Sequence, residues 1–466
     1  MLFNSYEFIF VFLPVSIGGY FAWGCVRKHS RLANVWLLLC SLFFYGYWDV
    51  HYLPLLIGSI LLNYAFAAGI LWMRDKEKHA LRKAFFVGGL LANLVLLGYF
   101  KYFDFLISVW NHFMHGSLQP LQLILPLGIS FFTITQILYL IDCCEGVTKE
   151  HDFLNYALFV SFFPHLLCGP ILFHKPMMAQ FHQEELRHIQ WKNFACGLAI
   201  FIIGLAKKVL VADSFVSFTN AHFYAPASYS LYVSWLSAAS YIVQLYFDFS
   251  GYSDMAVGVA RMMNIRIPIN FNSPFRSSSL TEFWQRWHIS LTQAITACVY
   301  IPLMRMLPMR FASVAVASFL TFFVVGIWHG AGWTFVIFAL LHATGVTVNQ
   351  IWRHYRLPMP RLLGKIILLV FLIPTFVIFR SPDMTTAFSL LLGMTGHNGF
   401  SMEGGMTPLE LCVLIPAIGA MLLAPNSNEI VKALRPSWHW AAVLSCLFLI
   451  SLFCLGRATD FLYFQF

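Results

Sequence analysis

Residues 311–328 read FASVAVASFLTFFVVGIW, and after His329-Gly330-Ala331-Gly332 residues 333–350 read WTFVIFALLHATGVTVNQ. Each run is long enough to approach the roughly 20 residues that a membrane-crossing helix needs. Apolar runs of this kind fall near 6–24, 33–48, 52–73, 84–100, 121–141, 153–173, 194–212, 231–259, 311–328, 333–350, 363–379, 407–424 and 440–456. The chain is 59% hydrophobic and 11% charged, whereas soluble domains carry about 25% charged residues. A water-soluble core cannot absorb so much apolar sequence. The fold class is therefore all-α and polytopic, because only helices satisfy their own backbone within a bilayer without closing a barrel. With no internal repeat and no disordered linker, residues 1–466 read as a single membrane-embedded domain.

The net charge of +9 does not point to nucleic acid. Its basic residues cluster in short loops between apolar runs, as the positive-inside rule describes. Arg27, Lys28 and Arg31 mark one cytoplasmic turn. Arg74, Lys76, Lys78, Arg82 and Lys83 mark a second, Arg353, Arg356, Arg361 and Lys365 a third, and Lys432 with Arg435 a fourth. This places both termini outside the cytoplasm. Thirteen crossings cannot return the chain to its starting side, so one run must be re-entrant. Run 153–173 is chosen because Pro164, Gly169 and Pro170 interrupt it; run 121–141, with Pro126 and Gly128, is the second choice. The N-terminal stretch lacks a basic region before its apolar residues and is expected to be a retained span.

Ten cysteines are scattered mostly through apolar runs, without a C-x-x-C pair. They suggest small core residues, neither a disulfide framework nor a zinc site. His112 and His115 have no further ligands at metal-site spacing, and no metal is expected.

Residues 260–310 are the one long non-hydrophobic region of the second half. Ser277 to Ser279 followed by Leu280-Thr281-Glu282 has the chemistry of a helix start. Glu282 and Arg286 are then neighbours four residues apart, on an amphipathic helix expected to lie at the membrane interface. His288 would sit about one and a half turns beyond Glu282, off the Glu–Arg face.

Two Trp–His pairs interrupt this oily background: Trp287-His288 and Trp328-His329. An imidazole at membrane depth is costly unless partnered or wet, and histidine suits proton transfer near neutral pH. Read alone, His288 is an interfacial amphipathic residue, whereas His329 is already a functional candidate by its depth. His342 either lines the same cavity or bonds within the bundle. Asp248 and Asp254 should be buried with partners, orienting the histidines or, more in keeping with their surroundings, the structure. His165 lies in the re-entrant run and is a candidate passage-lining residue. Trp284, Trp287, Trp328 and Arg286 join Asp248, Asp254 and His342 as candidates for holding substrate or lining a tunnel.

Several stretches resemble one family. They are Met1-Leu2-Phe3-Asn4-Ser5, residues 246–256 (Tyr246-Phe247-Asp248-Phe249-Ser250 and onward to Ala256), Asn270-Phe271-Asn272-Ser273-Pro274-Phe275, Phe283 to Leu291, Trp328 to Trp333, and Tyr463-Phe464-Gln465-Phe466. In this order they resemble the bacterial membrane-bound O-acyltransferases (MBOAT), closest to the branch of the alginate O-acetyltransferase membrane subunit. Related branches acetylate peptidoglycan or other glycans, or transfer D-alanine to teichoic acids.

The resemblance implies a ring of tilted helices, with re-entrant and interfacial helices, around a central funnel and tunnel, and a catalytic region of about 240–350. It implies that His329 is the residue most closely tied to catalysis, with His288 as the second polar residue. It also implies an acetyl-CoA or other acyl-thioester donor, no bound cofactor, and a polysaccharide acceptor reached directly or through a periplasmic or surface-tethered partner. The setting would be the bacterial inner membrane and the activity exopolysaccharide acetylation, as in alginate biosynthesis. One departure stands out. Relatives follow His-Ile-Ser-Leu with a Trp, Arg-Asp-Tyr and Tyr-Ile-Pro-Leu-Gly-Gly, where this chain has Thr292 to Arg305 and keeps only Tyr300-Ile301-Pro302-Leu303. The change bears on how the donor is received.

Transfer of an acyl group from a thioester to a hydroxyl needs a base and an oxyanion stabiliser. His329 is expected to take the hydroxyl proton and His288 to hold the acceptor or steady developing charge. Gly330 and Gly332 would let backbone N–H groups approach the oxyanion. The rival reading is a transporter or export component, for which internal repeats and paired broken helices would be the signature.

Overall fold

The run 311–328 and the run 333–350 fold into a tight helical hairpin, Phe311–His329 and Trp333–His354. Gly326 sets their spacing: a Cβ there would fall 2.3 Å from the Cβ of Ala339. Small residues let helix backbones approach in lipid, where dispersion contacts replace the hydrophobic drive. Hydroxyls within the hairpin are satisfied locally, Thr321 by the Ala317 carbonyl at 2.6 Å and Thr347 by the Ala343 carbonyl at 2.8 Å. No polar group of these side chains is then left facing hydrocarbon.

The computed structural model describes residues 1–26, 31–148, 152–224, 229–457, 459 and 461–462. Arg27 and Lys28 of the first basic turn, and the ending Tyr463–Phe466, lie outside the described residues. Among the described residues all regular secondary structure is helical, with no strand. Among the described residues seven helices are long and apolar enough to cross a membrane: Val50–Asp75, His79–Met114, Trp191–Tyr224, Ile289–Met306, Phe311–His329, Trp333–His354 and Arg361–Arg380. Pro408–Leu423 and Ser427–Ala433 add a bent pair at 71°.

The thirteen apolar runs thus do not become thirteen spans. Phe8–Gly24, Arg31–Gly46 and Trp438–Cys454 are short apolar helices, and run 121–141 turns helical only from Ile129. Run 153–173 is broken, as its prolines suggested: helix Phe153–Ser161 stops at Phe162 and a single turn, Phe163–Leu166, follows. Conversely, Ile289–Met306 emerges as an apolar helix inside the region read as interfacial.

The backbone divides into two compact units, one of residues 1–201 with 255–268, the other of residues 202–254 with 269–466. In the first, Phe3, Phe8, Phe12, Phe44 and Phe163 pack as one aromatic cluster. His165 closes the break in run 153–173, its Nε2 donating to the Phe159 carbonyl at 2.9 Å, and the Ser41 hydroxyl accepts from the Phe163 N–H at 3.1 Å. Protein groups thus take up polar groups at the broken backbone. The second unit carries both Trp–His pairs and is built around the 311–354 hairpin and helix Arg361–Arg380.

Candidate active site

His329 is the last residue of helix Phe311–His329, and its ring stays on the helix. Nδ1 lies 2.6 Å from the carbonyl oxygen of Val325, one turn back. A carbonyl only accepts, so Nδ1 must carry the proton. Nε2 is then the ring's basic nitrogen. Trp328, Phe338 and Phe379 wall the ring at centroid distances of 5.4, 6.3 and 5.5 Å, and only 4% of the residue is exposed.

His288 reaches the same place by a different route. Ser279 caps helix Leu280–Arg286, accepting from the Glu282 N–H. The helix then stops: Trp287 is extended and His288 has left-handed backbone at φ 45°. A second helix starts at Ile289. The expectation of one continuous amphipathic helix through His288 is therefore corrected, although the Glu282–Arg286 ion pair forms at 3.1 Å. The break is held by Asn270. Its carbonyl oxygen on the backbone accepts from the Ile289 N–H at 3.0 Å. Its Oδ1 accepts from the Ser290 N–H at 3.3 Å and the Ser290 hydroxyl at 2.6 Å. The Ser290 N–H fixes which end of the amide is oxygen, so His288 Nδ1, 3.3 Å from the same Oδ1, is a donor. His288 and His329 thus adopt the same tautomer, each with Nε2 as its basic nitrogen.

Trp328 links the two histidines, 6.3 Å from His288 and 5.4 Å from His329. Phe249 meets His288 edge-on at 4.7 Å. Trp287 turns away from both rings into a cluster with Phe271, Phe283 and Phe376.

His342 has both nitrogens engaged. The indole N–H of Trp284 donates to Nδ1 at 3.2 Å, and Nε2 faces the Thr375 hydroxyl at 3.1 Å. An indole only donates, so Nδ1 is the acceptor and the proton sits on Nε2. Thr375 in turn donates to the Leu372 carbonyl at 2.9 Å. Of the two readings for His342, the structure has the bond within the bundle, and Trp284 is its partner.

Asp248 and Asp254 are not brought to the histidines. Asp248 pairs with Lys208 at 2.6 Å and accepts from the Leu462 N–H at 3.0 Å; Lys208 also pairs with Asp213 at 2.7 Å. Asp254 pairs with Lys207 at 2.7 Å and accepts from Ser427 at 2.5 Å. Both carboxylates face cations rather than imidazoles. Arg286, half-buried, pairs with Glu282. Gly330 does not offer its N–H to an oxyanion, because that N–H donates to the Ile327 carbonyl at 3.2 Å. Its lack of a side chain makes room for the Phe335 ring, which a Cβ would meet at 2.2 Å. Sequence reasoning gave no role to Asn270, Phe379 or Thr375. Only Asn270 carried a signal, an amide within the Asn270–Phe275 stretch.

Among the described residues no group of three or more His, Cys, Asp or Glu is arranged to hold a metal. The site is thus two imidazoles of the same tautomer beside one indole, in a polytopic helical membrane protein. The sequence model of the membrane-bound O-acyltransferase family matches residues 145–380. The chain is 39% identical to a peptidoglycan O-acetyltransferase of Helicobacter pylori, over 98% of this chain and 90% of that protein. It is 36% identical to a probable alginate O-acetylase of Pseudomonas aeruginosa, over 90% and 80%. A teichoic acid D-alanyltransferase of Bacillus subtilis is 27% identical over 70% and 82%. The chain belongs to the membrane-bound O-acyltransferase family and is an acyltransferase.

Proposed function

We propose that the protein moves an acetyl group from a cytosolic acyl thioester to a hydroxyl of an extracytoplasmic glycan, with His329 as the base. The tautomer of His329 carries this reading: with Nδ1–H held by Val325, Nε2 is the nitrogen able to accept a proton. In the reaction the acceptor hydroxyl's oxygen attacks the thioester carbonyl carbon and its proton passes to Nε2. The C–S bond then breaks, the thiolate leaves, and the proton on Nε2 passes to it. Burial of the site strengthens any electrostatic contact to the developing oxyanion.

His288, locked in the same tautomer, holds the acceptor or steadies charge beside His329. The near full-length likeness to a peptidoglycan O-acetyltransferase favours peptidoglycan as acceptor over alginate. The donor is acetyl-CoA or an acylated carrier, the location is the bacterial inner membrane, and a periplasmic or surface-tethered partner completes delivery to the polymer. The test is His329→Gln and His329→Ala in cells, with insertion checked by blot. Ester-linked acetate on purified cell-wall fragments is then measured by mass spectrometry. Acetylation should fall about 10²–10⁴-fold, the usual contribution of a general base. Unchanged acetylation would refute the role of His329, and ester-linked alanine in place of acetate would refute the choice of acyl group.

A further inference from the structure

A cavity of ≈ 540 Å³ lies in the second unit between the start of helix Leu280–Arg286, the last turns of Trp333–His354 and the first turns of Arg361–Arg380. That volume is within the range of about 300–1,000 Å³ for small-molecule sites. Its inner end is apolar, formed by Leu280, Gly345, Leu368 and Phe371. Gly345 keeps that end open, since a Cβ there would lie 2.7 Å from Leu280 Cδ2 and 2.9 Å from Phe371 Cζ. Its sides include Val348 and Ile367, which are 55% and 49% exposed. On a membrane helix such residues face hydrocarbon, so the cavity opens sideways into the bilayer as well as toward the interface.

The outer end is polar and positive. Asn349 Oδ1 accepts from the Thr281 N–H at 3.3 Å and the Thr281 hydroxyl at 2.6 Å, which fixes its NH2 as the group left to face the cavity. Arg353 lines the mouth. Arg356, Arg361 and Lys365 follow on the same turn, and residues 333–382 contain no Asp or Glu. Among the described residues none of these four cations pairs with a carboxylate. An uncompensated basic turn beside an apolar cleft complements a ligand with a negative head and a hydrocarbon tail.

We propose that this cavity is a specific site for one anionic glycerophospholipid, its phosphate on Arg353 and the Asn349 NH2 and one acyl chain against Leu368 and Phe371. The lipid bridges the three elements that hold His342: Phe371 meets the His342 ring at 5.1 Å, and Trp284 donates to it. Lipid composition therefore tunes the packing behind His329 without touching the reacting atoms.

The test uses the purified full chain in detergent, titrated with phosphatidylglycerol or phosphatidylcholine and read by native mass spectrometry. One phosphatidylglycerol should bind in preference to phosphatidylcholine. Arg353→Glu, on an exposed side chain, should weaken it about tenfold or more. Ile367→Trp, which fills the cavity from its open wall, should reduce binding of both lipids. Equal binding of the two headgroups, or unchanged binding in Arg353→Glu, would overturn the proposal. Displacement of the bound lipid by coenzyme A would also overturn it, assigning the site to a soluble phosphate-bearing ligand.

Discussion

Replacing Asn270 by Ala tests whether the two-histidine site is built by its hydrogen bonds or merely by proximity. Asn270 Oδ1 is the shared acceptor for His288 Nδ1–H, the Ser290 N–H and the Ser290 hydroxyl. The residue is fully buried, as are His288 and Ser290. The Ser290 hydroxyl can rotate to another acceptor, whereas the His288 Nδ1–H and the Ser290 N–H lose this one. At roughly 1–3 kcal/mol for a buried group deprived of its hydrogen-bond acceptor, the loss is about 1–3 kcal/mol, concentrated at a turn that already holds a non-glycine residue at φ 45°. The backbone acceptor of Asn270 for Ile289 is untouched, so the chain should still insert. His288 should lose its fixed tautomer and the break between the two helices should loosen. The assay pairs thermal unfolding in detergent with glycan acetylation in cells. Asn270→Ala should lower both. Wild-type melting and wild-type acetylation in Asn270→Ala would refute the assignment of Asn270 as the organiser of His288.

Further outcomes follow from neighbouring contacts. Thr375→Val should remove the acceptor of His342 Nε2–H and cost about 1–3 kcal/mol, seen as a lower melting temperature, while Thr375→Ser should be close to wild type. Gly326→Leu should prevent the hairpin from closing, because even a Cβ meets Ala339 at 2.3 Å; protease sensitivity of the 330–332 turn in membranes reports it. Lys208→Met should strand Asp213 and Asp248 and cost about 3–5 kcal/mol, read as reduced yield of inserted protein. The double change Lys208→Met with Asp248→Asn should recover part of that yield.

The sequence carried the all-helical class, the two Trp–His pairs and the break in run 153–173, because apolar length and proline are local signals. It also carried the Ser279 cap and the Glu282–Arg286 pair. It did not carry the stop at Trp287. Helix-compatible residues run through 280–295, and what ends the helix is Asn270, eighteen positions away by hydrogen bond to His288. Nor did it decide between the two readings of His342. A histidine on an apolar helix fits either reading, and its partners, the indole of Trp284 and the hydroxyl of Thr375, lie 58 and 33 positions away. Asp248 and Asp254 were legible as buried groups needing partners. Lys207 and Lys208, near the end of the apolar run 194–212, were the matching cations, but pairing across such separations is not periodic.

The left-handed backbone at His288 has a practical consequence for mutagenesis. Alanine at 288 removes the imidazole and also places a β-carbon residue with no compensating side-chain bond where the chain bends against its preference. A dead His288→Ala enzyme would therefore mix lost chemistry with a displaced bend. Asparagine tolerates that conformation well, so His288→Asn is the cleaner probe, and a comparison of the two variants separates the ring's contribution from the turn it occupies.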